Sequence, residues 1–194
     1  MSLTELQKRP GNVPLKYHRE PRHGYSFVYP EYWQRFDLVV DGGHGALFAE
    51  DPDDRSTCLS VESRDIETSV TAADLPTLRE GFIGGLRKIP GIRILRRTDY
   101  DVGFLIGLEA QFDFDEDGLR RRRWVRVLYQ GTVQARLIAQ GKTIERFKYW
   151  LPCFKPAMTG FVFDGGFAPL PPNGADAGQD WASATSELTG AVHE

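Results

Sequence analysis

Phe104-Leu105-Ile106-Gly107-Leu108-Glu109-Ala110-Gln111-Phe112-Asp113-Phe114 alternates without a break. Phe104, Ile106, Leu108, Ala110, Phe112 and Phe114 fall on one side; Leu105, Gly107, Glu109, Gln111 and Asp113 fall on the other. Successive side chains of a strand point to opposite faces, so this stretch reads as a long strand with one apolar face. The chain turns at Asp115-Glu116-Asp117-Gly118 and runs back as Arg120–Tyr129, with Val125, Val127 and Tyr129 on its core face. Gln130-Gly131-Thr132 turns it again into Val133–Ala139. Short turns between such strands give an antiparallel meander. In the second hairpin, apolar matching favours a three-residue loop, or a two-residue turn with a bulge. Val127 then lies opposite Ala135 and Val125 opposite Leu137.

Upstream, Tyr25, Phe27 and Tyr29 alternate with Ser26 and Val28 in a short strand stopped by Pro30. Phe36–Val40 is a second strand, Gly42-Gly43-His44-Gly45 a turn, Ala46–Ala49 a third strand and Thr57–Arg64 a fourth. Leu59 and Val61 of the fourth face opposite to Cys58, Ser60 and Glu62. Then the period changes. Leu75, Leu78, Phe82, Leu86 and Ile89 make one helical stripe, with Asp74 as N-cap and Pro90-Gly91 as stop. Gly84 and Gly85 weaken this helix, and close approach to a sheet would account for them. Ile92–Arg97 is the strand that follows. Downstream, Ile144, Phe147, Leu151, Phe154 and Met158 form a second stripe, which Pro152 and Pro156 should kink or interrupt. Strands in meander order with helices inserted give an α+β fold, an antiparallel sheet covered by helices.

The chain of 194 residues suits one domain with tails. Residues 1–23, with Pro10, Pro14 and Pro21, read as a leader, loose or laid over the surface. The domain is 24–163. Residues 164–194 form a Gly/Pro/Ala-rich acidic tail whose one large apolar residue, Trp181, could anchor it. The 24 Lys and Arg nearly balance 27 Asp and Glu, which points away from nucleic acid and membrane surfaces. Cys58 and Cys153 read as free thiols rather than a disulfide scaffold. With no signal-like segment at the start, the expected address is the cytoplasm.

Gly24-Tyr25-Ser26-Phe27-Val28-Tyr29-Pro30-Glu31-Tyr32-Trp33 resembles the opening of the PsbP/Mog1-like superfamily, and the order of elements over about 24–163 is similar too. The resemblance implies an α/β/α sandwich around an antiparallel sheet. It also implies a protein that binds other proteins, in a family without one common ligand or reaction. No set of functional residues carries over.

Each candidate constellation has a plain alternative. Asp113, Asp115, Asp117 and Gly118 match the first half of a calcium loop, but Trp124 stands where the closing Glu belongs, so they read as an acidic hairpin turn. Gly141-Lys142-Thr143 ends like a phosphate loop but lacks the Gly-rich start, since Arg136 holds the first Gly position; Thr143 reads as a helix N-cap. His18, Glu20 and His23 read as a surface loop rather than a metal site, and His44 as a turn residue. No framed nucleophile is present.

Arg120-Arg121-Arg122-Arg123-Trp124-Val125-Arg126 is the most unusual run. On a strand, Arg122, Trp124 and Arg126 share the face opposite Val125 and Val127, and Gln134 and Arg136 should join them. Guanidiniums beside an indole can take a carboxylate, a phosphate or an acidic protein patch. The alternative is a covered face with each Arg paired to Glu109, Asp113 or another acid. The expectation is a non-catalytic binding or protein-interaction module with no cofactor and no metal, its binding residues Arg122, Trp124, Arg126 and Arg136. Self-association stays open. The competing expectation is a small-ligand carrier or unfamiliar enzyme with a pocket between sheet and helix.

Overall fold

The computed structural model describes residues 13–21 and 24–164. His23, Trp181 and the rest of the tail beyond Asp164 lie outside the described residues.

Among the described residues, ten strands and two α-helices follow in the order β1 (Leu15–Glu20), β2 (Tyr25–Pro30), β3 (Gln34–Leu38), β4 (Gly43–Ala49), β5 (Cys58–Asp65), α1 (Leu75–Arg87), β6 (Arg93–Asp101), β7 (Ile106–Glu116), β8 (Leu119–Gln130), β9 (Val133–Gly141), α2 (Ile144–Thr159) and β10 (Val162–Phe163). A seven-stranded sheet runs β3-β4-β5-β9-β8-β7-β6, and a three-stranded sheet runs β1-β2-β10. Every pairing is antiparallel. The fold is thus the expected α+β arrangement. The stretch read as a leader supplies β1, the edge strand of the small sheet.

The large sheet carries a core on each face. On one, Ala46, Phe48, Leu59, Val61, Leu128, Ala135, Leu137 and Ala139 meet the small sheet's Tyr25, Phe27 and Tyr29, together with Phe147, Trp150, Phe154 and Met158 of α2. On the other, Ile106, Leu108, Ala110, Phe112, Phe114, Val125, Val127 and Tyr129 pack under α1. The alternation in β7 therefore predicts its buried face correctly from Ile106 onward. Phe104 stays outside the strand and is exposed.

Turn chemistry fixes the registers. Asp117 and Gly118, both with positive φ, form the two-residue β7–β8 loop, which Asp-Gly favours. The β8–β9 loop is also two residues, Gly131-Thr132, with positive φ at Gly131. It sets Val127 opposite Arg136, Val125 opposite Ile138 and Leu128 opposite Ala135. The expected register, with Val127 opposite Ala135, is off by one residue. That expectation matched only one face of β8, whereas both faces of this strand are packed.

In α2, Thr143 is the N-cap and its hydroxyl accepts from the Arg146 backbone N–H at 3.2 Å. Gly141 is needed just before it, because a Cβ there would overlap the Phe147 backbone. Pro152 and Pro156 do not interrupt the helix. They lie one turn apart, so the carbonyls they leave without an intrahelical donor belong to Lys148 and Pro152, both exposed and open to water. In α1, Gly81, Gly84 and Gly85 have nothing within 4 Å of a built Cβ. Close approach to the sheet does not account for them.

Candidate functional site

Arg122, Trp124 and Arg126 do share a face of β8, and it is the face covered by α2. Arg122 grips Asp113 with both ends, Nε to Oδ1 at 2.6 Å and Nη2 to Oδ2 at 3.1 Å. Arg126 donates to the Tyr100 hydroxyl at 2.6 Å and to the Met158 carbonyl of α2, and its Nε lies 3.2 Å from Glu109. Trp124 packs against the core beneath α2, and its buried indole N–H has no acceptor among the described residues. The two guanidiniums are spent inside the molecule. Arg136 does not join them. The one-residue shift in register turns it, with Gln134, to the opposite face, where it pairs with Glu62 at 2.5 Å.

Among the described residues that opposite face is only half covered: α1 lies over β7 and β8, and no described helix lies above β3, β4, β5 or β9 on this side. The uncovered half holds an open depression of about 970 Å³. Leu38, Leu47 and Ile138 give it a half-buried apolar floor, continued by buried Cys58, Ser60 and Gln140. The β4–β5 loop, Pro52 to Ser56, walls one side and Glu116, Asp117, Arg121 and Arg123 the other. Beside it, a second depression of about 370 Å³ runs between Thr77, Leu78, Gly81 and Phe82 of α1 and the sheet residues Arg64, Gln134 and Arg136.

The charges here are unevenly matched. Arg121 is buried and pairs with Glu116 at 3.0 Å and Asp117 at 3.1 Å. Arg123 has no carboxylate partner among the described residues. Its Nε and Nη2 both donate to Gln140 Oε1, at 2.8 and 2.5 Å, and its guanidinium lies 4.5 Å over the Phe114 ring. Burial lowers its pKa, with Glu116 pulling the other way. Arg55, in the loop, stacks 3.7 Å over Phe36 and likewise has no described acid partner. Burial pushes the thiol of Cys58, on the floor, up to about 12, which favours its protonated form.

Parity could have found this site. Arg121 and Arg123 share the side of Val125 and Val127, so a chain with a buried face there places two arginines on that face. The Arg122–Trp124–Arg126 set lies on the other side.

The remaining candidates resolve into structure. Asp113 is held by Arg122 and Arg93, Asp115 by Arg120 and Asp117 by Arg121. His18 sits in β1 among the rings of Tyr25, Phe27, Tyr29 and Phe48, where burial and the nearby Arg35 lower its pKa. His44 is a strand residue rather than a turn, with Nε2 3.4 Å from Glu20. Among the described residues no three His, Cys, Asp or Glu side chains gather as a metal site.

No protein-family model matches this chain, and no curated protein matches it. Solved structures do. Cyanobacterial PsbP from Synechocystis sp. PCC 6803 aligns with a TM-score of 0.55 and 16% identity, over 78% of this chain and 93% of that one. LpqN of Mycobacterium tuberculosis, involved in cell envelope biogenesis, aligns at 0.50 and 12% identity, over 84% and 98%. The Ran-binding protein Mog1p of Saccharomyces cerevisiae aligns at 0.49 and 11%, over 80% and 100%. The chain has the PsbP/Mog1-like fold. At such identities the likeness reaches the fold and stops there.

Proposed function

We propose that this chain is a non-catalytic binding module that receives a protein partner on the uncovered half of its large sheet. The observation that carries this is the asymmetry of coverage. Among the described residues, one face is covered by α2 and the small sheet, while the other leaves Phe36, Leu38, Leu47 and Ile138 half-exposed. A broad, shallow surface of mixed polarity suits a protein better than an enclosed small ligand. The Arg122–Trp124–Arg126 face is the weaker candidate, since its guanidiniums already have acceptors.

The test is site-specific photo-crosslinking in cells of the native host. A crosslinking residue replaces Arg136, exposed on the open face, or Lys148, exposed on α2. A discrete adduct from position 136 and none from 148 is expected. No adduct from 136, or adducts from 148 alone, overturns the proposal.

A further inference from the structure

The partner's chemistry can be taken one step further, on the footing of the proposal above. The arginines facing the open depressions fall into two groups. Arg121 and Arg136 are neutralised by Glu116, Asp117 and Glu62. Arg64, Arg123 and Arg55 have no carboxylate among the described residues; Arg64 lines the second depression and donates to Gln134 at 2.7 Å, whereas Arg123 and Arg55 both line the larger one. Arg123 is the informative one. Its guanidinium is withdrawn from water far enough that burial is the main influence on it, and the acid nearest in effect, Glu116, is committed to Arg121. A cation taken partly out of water without a counter-ion costs free energy, and that cost is recovered when an anion arrives.

The group is also held in place. Gln140 Oε1 takes Nε–H and one Nη2–H of Arg123, and the Gln140 side-chain amide is itself anchored to the Ser56 carbonyl at 3.2 Å. A guanidinium has five N–H groups, so the end-on edge formed by Nη1 and Nη2 keeps donors to spare. That edge matches a carboxylate two-to-two. Phe114 lies beneath Arg123 and Phe36 beneath Arg55, and neither ring supplies a counter-ion. Leu38, Leu47 and Ile138 floor the same depression.

We propose that Arg123 and Arg55 capture the carboxylates of an acidic, extended protein segment, whose apolar side chains rest on Leu38, Leu47 and Ile138. Arg123 is the preorganised fork, and Arg55 closes from the loop. The acids that rim the groove, Asp53 among them, repel a segment of acids alone, so the fitting partner interleaves acidic with apolar residues.

The probe is a capped peptide of alternating Glu and Leu, added to the 15N-labelled full chain. Controls are the same peptide with Gln for Glu, sodium acetate and inorganic phosphate. Saturable shifts of the Arg123 and Arg55 Nε–H resonances by the Glu peptide are expected, with affinity falling as salt rises. The Gln peptide, Arg123→Gln and Arg55→Ala should each weaken binding about tenfold, and Lys148→Ala should leave it unchanged. If Arg123→Gln fails to fold, Arg55→Ala and the Gln peptide still decide. Equal binding of Glu and Gln peptides overturns the inference. So does a response to acetate or phosphate at the concentrations at which the peptide acts, which marks a small-anion site instead. Crosslinking from position 136 separates the two proposals. An adduct whose yield is unaffected by Arg123→Gln removes the acidic-segment inference and leaves the interaction module standing.

Discussion

Gly107 and Gly85 both sit inside regular elements, and they should answer a methyl group in opposite ways. A Cβ on Gly107 in β7 would overlap the Tyr100 ring, whose hydroxyl accepts from Arg126 at 2.6 Å. Gly107→Ala must push Tyr100 aside and loosen that bond, at a cost of about 1–3 kcal/mol. Gly85 in α1 meets nothing within 4 Å, so Gly85→Ala should stabilise the chain by about 0.5–1 kcal/mol through helix propensity alone. Urea melts of the two variants check the pair, and a destabilised Gly85→Ala would show that the space beside α1 is not free. Phe112 is the third case. It is 1% exposed beneath α1, and Phe112→Ala should cost about 3–5 kcal/mol. Its burial was legible from alternation alone, because its strand is packed on that side along its length. The glycines were not legible, since a sequence does not say whether a missing Cβ makes room for a neighbour or for nothing.

At the scale of elements, Asp113 joins three strands. It lies in β7, fully buried, and takes Arg122 from β8 and Arg93 from β6 at 2.6 and 2.9 Å. Burial by itself raises its pKa, but the two arginines outweigh it and hold the carboxyl below its ordinary value. An unfolded carboxylate titrates near about pH 4, so between there and the lower folded pKa the unfolded chain binds more protons. The stabilisation is therefore complete above that range and lost as pH falls through the folded pKa. Asp54, held at about 2 by Lys142 and Ser56, is likewise shifted below the ordinary carboxylate range and adds to the acid limb. Asp113→Asn should cost about 3–5 kcal/mol at neutral pH, because it leaves Arg122 half-buried without a counter-ion. It should also flatten the acid limb of the melting temperature without abolishing it. An unchanged acid limb would mean that the pair adds no pH-dependent stability. The pairing was visible as an alternative in the sequence, since Asp113 and Arg122 share a face once the Asp-Gly turn is placed. The β8–β9 register was not. Both faces of β8 mix apolar and charged residues, so a one-residue slip leaves each face acceptable by pattern, and only the Gly131-Thr132 loop decides.

Across the whole molecule, the two helical layers are not equivalent. α2 buries Phe147, Trp150, Cys153, Phe154, Ala157 and Met158 against the aromatic core. In α1 only Leu86 is buried, while Leu75, Leu78 and Phe82, and Ile89 just beyond its end, remain half-exposed. The sequence shows two apolar stripes of similar length and gives no hint of this difference, which depends on how much sheet lies under each. Gly81, Gly84 and Gly85 weaken α1 further, with no contact in return. Local opening follows buried apolar contact, so α1 should detach before the sheet does. In native-state hydrogen exchange, amides of α1 should open with a lower free energy and weaker denaturant dependence than those of α2 and β8. Gly85→Ala should raise protection in α1 and leave α2 unchanged. The consequence reaches the open face, because α1 walls its second depression through Thr77, Leu78, Gly81 and Phe82. A partner seated across both depressions would hold α1 down, and its binding should raise α1 protection toward that of the sheet. If α1 and α2 amides instead share one opening free energy in the free chain, the layers act as one cooperative unit and this difference in stability is absent.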